Sequence, residues 1–323
     1  MLRIYFSDAD LVRVRILAEP DPMWEVLLSL HLTTPTPADR HFGGWRRSLP
    51  LKRLARPAGV LRTLSRPVGY SPDFLTPAGD VAEFGTGLDL VLSTPRARLR
   101  ADIAQLASGT PIASWPADLA DGNVPALKLL GDALTTYHDA AVRPHWETIR
   151  RHVRADRRKR AELAVTRGFE AVLATLHPSA RWRAPVLELA YPVEQDLVLD
   201  GSGLTLVPSL FCWPGPITLL RQPDRPVLVY PVSPEYDWAE ESATGCDGSL
   251  NTLLGPTRAE VLRVISALPR VNTTELARAA GISLASASQH ASVLRGAGLV
   301  TTGRSRGSVF HELSERGTSL LCH

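Results

Sequence analysis

Cysteine, lysine and long apolar runs are all scarce in this sequence, and each scarcity excludes something. The three cysteines in 323 residues, Cys212, Cys246 and Cys322, form neither a disulfide framework nor a CxxC metal clamp. An odd, scattered set fits a reducing compartment, so a cytoplasmic protein is expected. No stretch approaches the roughly 18–20 unbroken apolar residues of a membrane helix, so no membrane partner is expected. The opening MLRIYFSDADLVRVRIL sets acids and arginines where a secretory signal is apolar, which argues against export. GxSxG, P-loop, GxGxxG and HExxH motifs are all missing, so no catalytic residues, metal or cofactor are indicated. Gly201-Ser202-Gly203 reads as a turn, not a phosphate cradle.

Lysine supplies only Lys52, Lys128 and Lys159 of the 36 basic residues, leaving 36 − 3 = 33 arginines. With many Ala, Pro and Gly, this bias reads as the codon usage of a GC-rich bacterial genome. The net charge is only +3; 44% of residues are hydrophobic and 21% charged, ordinary for a chain that buries a core. The length suggests about two domains.

Alternation in Leu2–Phe6 predicts a strand. Ser7 and Asp10 resemble a capping box entering Leu11–Leu17, although Val12, Val14 and Ile16 also alternate as a strand would. Met23–Leu32 reads as an apolar helix. Short helices are expected at Leu51–Ala55 and Val60–Leu64, and longer ones at Gly85–Ser93 and Arg96–Ala107. Residues Val124–Leu176 predict the longest helical region, kinked at Pro144 and carrying Trp146, Ile149 and Val153 as a narrow stripe. From Arg143 to Arg167, nine basic residues (143, 150, 151, 154, 157, 158, 159, 160 and 167) face three acids, Glu147, Asp156 and Glu162. A solvated face with internal ion pairs is the first reading, with a DNA-phosphate contact or a subunit interface as rivals. Between Trp182 and Val232, the apolar runs Val186–Tyr191, Leu197–Leu199, Leu204–Phe211 and Val227–Pro231 predict a small antiparallel sheet. The first domain, 1–240, is therefore expected to be mixed α+β. Ser233–Asn251 is polar and acidic, as a linker would be.

The final segment, 252–323, carries the most specific pattern. Thr257 is positioned to cap a helix to Leu268 whose Val261, Leu262, Ile265 and Leu268 line one side. Thr273 is positioned to cap a second helix, Thr274–Ala280. Gly281 then allows a sharp turn, and Ser283 caps a third helix, Leu284–Gly296. Ile282, Ala287, Ala291 and Leu294 point inward, and Ala277 and Ala287 allow close approach. Helix, tight turn, helix is the helix-turn-helix pattern. A strand at Leu299–Thr302, a turn at Gly303–Gly307 and a strand at Ser308–Leu313 add a hairpin, which makes a winged helix. The third helix suits the DNA major groove: Ala285, Ser286, Ser288, Gln289, His290 and Ser292 are short or hydrogen-bonding. Gln289 can bond adenine bidentately. Amides near Thr273 and Thr274 can hold a phosphate, and Arg304 and Arg306 at the hairpin tip can reach the backbone or minor groove. From Gly255 onward, eight arginines face four glutamates, a local charge of +4.

The stretch GPTRAEVLRVISALPRVNTTELARAAGISLASASQHASVLRGAGLVTTGRSRGSVFHEL resembles the ArsR-type winged-helix repressors, through TTELARAAGIS, ASQHASVLRGAGLV and the GRSRG turn. The similarity covers about the last 70 residues. The long first domain, with SPDFLTP and GLTLVPSLFCWP, looks like that of actinobacterial regulators of this type. The resemblance implies a homodimer on an inverted repeat of double-stranded DNA, with ligand-driven release. Metal-sensing members carry a cysteine pair in the second helix, where this chain reads TTELARAAG, so a metal sensor of that kind is not expected.

His138, His145 and His152 recur every seven residues, roughly 10 Å apart along a helix, too far for one ion; they read as surface or interface residues. Trp24, Trp45, Tyr70, Trp115, Trp182, Trp213 and Tyr230 concentrate in the first domain, where they form core or line a pocket for a small organic effector. The sequence thus points to a bacterial transcription regulator, most simply a repressor. A constitutive architectural DNA-binding protein and an enzyme-like first domain fused to a DNA-binding module are the alternatives.

Overall fold

The computed structural model describes residues 1–35, 40–65, 69–77, 79–109, 114–219, 226–232, 250, 253–268, 270–305 and 308–321. The chain is mixed α+β and divides into two units, Met1–Ala239 and Glu240–His323. Ser233–Asn251, apart from Leu250 and with the cysteine Cys246, lies outside the described residues.

The first unit runs β1 (Leu2–Tyr5), α1 (Asp8–Val12), β2 (Arg15–Ile16), α2 (Pro22–His31), α3 (Gly43–Ser48), α4 (Leu51–Leu64), α5 (Phe84–Leu92), α6 (Arg96–Gly109), α7 (Trp115–Ala120), α8 (Val124–Tyr137) and α9 (Trp146–Ala174). Six strands follow: β3 (Arg181–Arg183), β4 (Val186–Leu189), β5 (Gln195–Val198), β6 (Thr205–Ser209), β7 (Ile217–Thr218) and β8 (Val227–Pro231).

These strands do not make one antiparallel sheet. They make two mixed four-stranded sheets, ordered β3-β4-β1-β5 and β2-β6-β8-β7. The N-terminal strands are the reason. β1 inserts between β4, antiparallel (Leu2 opposite Leu189), and β5, parallel (Leu2 opposite Gln195). Its alternation drives this: Leu2 and Ile4 are fully buried. β2 runs parallel to β6, and β6 parallel to β8. The Ser7–Asp10 box forms, with Asp10 Oδ2 accepting from Ser7 N (2.7 Å), yet the helix stops at Val12. Asp10 Oδ1 also accepts from Gly203 N (2.8 Å), holding the chain where Arg15 and Ile16 pair with Thr205 and Leu206.

The two short helices expected on either side of Pro57 are one helix, α4. Pro57 removes a backbone donor, but Leu54, Pro57, Ala58, Leu61 and Leu64 form one buried stripe and α4 packs on α8, which outweighs the local loss. The kink at Pro144 is present: a π turn (His138–Val142) and a 3-10 turn (Arg143–His145) separate α8 from α9. Gly168 adds a second break, at φ +81.

Part of the basic run from Arg143 to Arg167 is paired, some of it to an acid outside the run, while Arg157, Arg158, Lys159 and Arg167 are exposed. Arg150 and Arg154 share Glu19 (2.9 and 2.8 Å), Arg143 meets Asp139 (3.4 Å) and Arg160 meets Asp156 (2.8 Å). The guanidinium of Arg160 lies 4.5 Å over the Tyr230 ring, and the Tyr230 hydroxyl donates to Asp156 Oδ2 (2.7 Å). This buried knot ties α9 to β8.

The second unit runs α10 (Pro256–Ala267), β9 (Val271–Asn272), α11 (Thr273–Ala279), α12 (Leu284–Gly296), β10 (Val300–Ser305), β11 (Ser308–Leu313) and α13 (Glu315–Leu321). Its core is Ala259, Val261, Leu262, Ile265, Val271, Leu276, Ala277, Ala287, Ala291, Leu294 and Val300. Two caps differ from expectation. Gly255, with Pro256 in the first turn, precedes α10 in place of Thr257. Asn272 caps α11 in place of Thr273: its Oδ1 accepts from Glu275 N (2.9 Å) while Glu275 Oε2 accepts from Asn272 N (3.2 Å). A glutamate three residues on completes a box for Asn272 and none for Thr273. Leu268 is half exposed, outside the stripe it was expected to extend.

Candidate functional site

The surface of α12 is set by what holds its inner side. Ala287, Ala291 and Leu294 are buried against α10 and α11, and small alanines let the axes approach. Gly281 turns the chain at φ +65, a conformation costly for any residue with a Cβ. Ser283 then caps α12, its Oγ accepting from Ser286 N (3.1 Å). With these fixed, Ala285, Ser288, Gln289 and Ser292 are exposed together on the opposite face. At 100° per residue, 285, 289 and 292 make one stripe and 288 flanks it.

The expected site residues therefore separate into groups. Ser283 and Ser286 are tied to each other (Oγ to Oγ 2.9 Å) at the start of α12. His290 is half-buried, turned toward the core, and its Nδ1 has no hydrogen-bond partner among the described residues. Ser292 accepts from Arg295 (3.3 Å), which sets an exposed cation beside the stripe. Thr273 does not face outward: its Oγ1 meets His311 Nε2 at 3.1 Å. Thr274 is exposed, but the capping carboxylate of Glu275 sits beside it, an unfavourable neighbour for a phosphate.

His311 was not singled out from the sequence. It is buried on β11, and its Nδ1 lies 3.4 Å from Thr302 Oγ1 on β10. It thus joins the start of α11 to the hairpin. Burial, and then the charge of Arg295, hold this imidazole below its ordinary value. Its partners lie far apart in sequence, so no local signal marks it.

The hairpin pairs from Val300–Leu313 to Ser305–Ser308, and β9 adds a third strand, with Asn272 opposite Phe310. β10 extends to Ser305, past the expected end at Thr302. Arg304 therefore stands in β10, opposite Val309, rather than in the turn. Arg306, and the side chain of Arg304, lie outside the described residues. Arg270 sits 5.7 Å over the Phe310 ring and pairs with Glu312 (3.4 Å).

In the first unit, the heptad histidines are not surface residues as a set. His138 is buried and stacks on Phe84 at 3.9 Å, and His145 is buried with its Nε2 3.2 Å from Ser48 Oγ. His152 bonds its own helix at Thr148 O (2.9 Å). Trp24, Trp45 and Tyr230 are core, and Trp45 Nε1 donates to Ala141 O (2.8 Å). Trp213 packs edge-on against Phe42 and His41, and Trp182 against Phe6; among the described residues neither indole N–H has a partner. Cys212 is buried with Sγ 3.3 Å from Gly215 O, and burial pushes its thiol up, away from thiolate chemistry. Cys322 lies outside the described residues, among which no group of three or more His, Cys, Asp or Glu could hold a metal ion. No helix among them is long and apolar enough to cross a membrane.

A family model described as a family of unknown function, DUF5937, matches residues 96–235, within the first unit. No curated protein and no solved structure matches the chain.

Proposed function

We propose that the chain is a DNA-binding transcription regulator whose second unit is a winged helix-turn-helix, with α12 as the helix that enters the major groove. The observation that carries this reading is the outward face of α12: Ala285, Ser288, Gln289 and Ser292 are short or hydrogen-bonding and form the middle of the face, with the larger exposed Leu284, Val293 and Arg295 to either side. A helix must present such a face to lie against base edges. The order α11, Gly281 turn, α12, antiparallel hairpin supports it independently, because that hairpin is the wing such domains add. Gln289 reads a base, Ser288 and Ser292 serve base or phosphate, and Arg295 with the hairpin arginines 304 and 306 contacts the backbone. The Thr273 side chain is held by His311, which leaves the backbone amides near Thr273 and Thr274 as the groups that meet a phosphate there. The resemblance to ArsR-type repressors extends the reading to a homodimer on an inverted repeat in the cytoplasm. The first unit then serves dimerisation or a small organic effector, since the buried Cys212 is unsuited to capturing a soft metal.

The test is Gln289→Ala on a duplex selected by the wild-type chain and on a mixed-sequence duplex. The variant loses about 1–3 kcal/mol on the first and little on the second. An equal loss on both would move Gln289 to the phosphate backbone and remove the base-reading role from this face.

A further inference from the structure

From Arg40 to Pro72 the chain carries eight basic residues (40, 46, 47, 52, 53, 56, 62 and 66) and no acid. This stretch is more one-sided than the basic run of α9, where Glu147, Asp156 and Glu162 intervene. α4 lies within it. Its inner face, Leu54, Pro57, Ala58, Leu61 and Leu64, is buried, and Lys52, Arg53, Arg56 and Arg62 are exposed. Among the described residues, Lys52, Arg53 and Arg56 have no carboxylate within ion-pair distance, and Arg62 bonds a neutral hydroxyl, Thr33 Oγ1 (2.7 Å). On α9, Arg150, Arg154 and Arg160 are paired, whereas Arg157, Arg158, Lys159 and Arg167 are exposed with no carboxylate within ion-pair distance among the described residues; what sets α4 apart is that no acid interrupts its basic stretch.

The arrangement is locally unfavourable for the helix. Lys52 and Arg53 stand in the first turn, where the helix dipole repels cations, and Pro50 offers no side-chain cap. Lys52 and Arg56 are like charges one turn apart. A favourable external partner for this face is an anion. Between the cations lie Ala55 and Gly59, and a Cβ built on Gly59 meets nothing within 4 Å. A low, open surface with cations spread over about 15 Å, the rise from residue 52 to 62, matches an extended polyanion better than a single small ion. The apolar stripe of α4 is committed to the core and, of its large apolar side chains, Leu51 is left exposed, too little for the helix to sink into a lipid surface.

We infer that the exposed face of α4 is a second, sequence-independent contact for the phosphate backbone of duplex DNA. This rests on the DNA-binding reading above and extends it to the first unit. Each phosphate neutralised adds about −0.9 to the slope of log affinity against log salt. For three contacts, wild-type affinity falls about forty-fold further than that of a variant lacking them between 50 and 200 mM salt.

The experiment titrates the full chain into a labelled mixed-sequence duplex across that salt range. Lys52→Gln/Arg53→Gln/Arg56→Gln is expected to flatten the slope by about two to three. The charge-preserving Lys52→Arg/Arg53→Lys/Arg56→Lys is expected to keep it. An unchanged slope in the glutamine variant, with the wild type binding, overturns this inference and leaves the DNA-binding reading standing. A wild type that binds no duplex at low salt overturns both. Equal loss in the charge-preserving variant makes the effect one of folding and overturns the inference. Charge-dependent capture of phosphatidylserine vesicles with DNA binding unaltered assigns the face to a membrane and also overturns it.

Discussion

Asp156→Ala tests the packing of α9 on the second sheet. Asp156 Oδ2 is shared by Arg160 Nε (2.8 Å) and the Tyr230 hydroxyl (2.7 Å), and the Arg160 side chain is only 10% exposed. A surface pair of this type contributes about 0–1 kcal/mol. Removing one partner of a buried pair is a different matter, because an uncompensated charge stays behind; the cost is about 3–5 kcal/mol. Tyr230→Phe removes one hydrogen bond and retains the ring under the guanidinium, so it costs about 1–1.5 kcal/mol. Urea unfolding of the full chain, followed by tryptophan fluorescence, reads both. The decisive comparison adds Arg160→Met to Asp156→Ala. Replacing the stranded cation by an apolar chain of similar length recovers part of the loss, so the double variant is more stable than Asp156→Ala alone. A cost below about 1 kcal/mol for Asp156→Ala, or a double variant less stable than the single, refutes the buried-charge reasoning.

Other outcomes follow from the same structure. Glu25 is fully buried and accepts from Ser209 Oγ (3.0 Å), Leu210 N (2.9 Å) and Phe211 N (3.1 Å); burial pushes its carboxyl from 4.5 up to about 7 despite these donors. The folded state then holds a proton that the unfolded state releases, so stability falls by up to about 3 kcal/mol as pH rises from 4.5 to 7 and levels off above. Glu25→Gln flattens that part of the profile in unfolding titrations at several pH values, and an unaltered slope excludes Glu25 as its source. Gly203→Ala costs about 2–4 kcal/mol, since φ is +74 and the new Cβ meets the Arg13 carbonyl oxygen at 2.6 Å. Gly69→Ala, at φ +107 in open space, costs less; equal losses would mean that contact with Arg13 contributes nothing. For His311, held below its ordinary value in the folded state, the sign is opposite to that of Glu25. The second unit is fully stable above about pH 6.5 and loses stability as acid protonates the unfolded imidazole first. Hydrogen exchange of β10 and β11 amides, corrected for intrinsic rates, accelerates at pH 5.5 in wild type but not in His311→Gln; identical behaviour of the two contradicts the linkage.

Elements governed by local periodicity and local caps were legible in the sequence. Leu284–Gly296 is helical between the Ser283 cap and Gly298, and Val227–Pro231 and Ser308–Leu313 are strands with the expected bounds. What escaped sequence reading depends on distant partners. Leu2–Tyr5 finds β4 and β5 nearly the whole unit away, so a sheet drawn from neighbouring strands alone came out antiparallel. Pro57 breaks an isolated helix, and only the buried stripe on α8 explains why α4 continues. The heptad of histidines reads as surface or interface positions, yet within the first unit Phe84, from α5, covers His138. Within the candidate site the exposed face of α12 was readable, because 3.6-residue periodicity sorts Ala285 and Gln289 from Ala287 and Ala291. The contact of the Thr273 side chain with His311 was not, because His311 lies beyond the hairpin turn.

The most direct test of the DNA-binding reading is selection by the full-length chain from a pool of random duplexes at about 50 mM salt, where phosphate contacts are strong. Enrichment of an inverted repeat is the expected result. Gln289→Ala is expected to degrade preference at one position of each half-site and to leave the rest. Retention of no duplex, or retention without any enriched sequence, would contradict a base-reading role for the exposed face of α12.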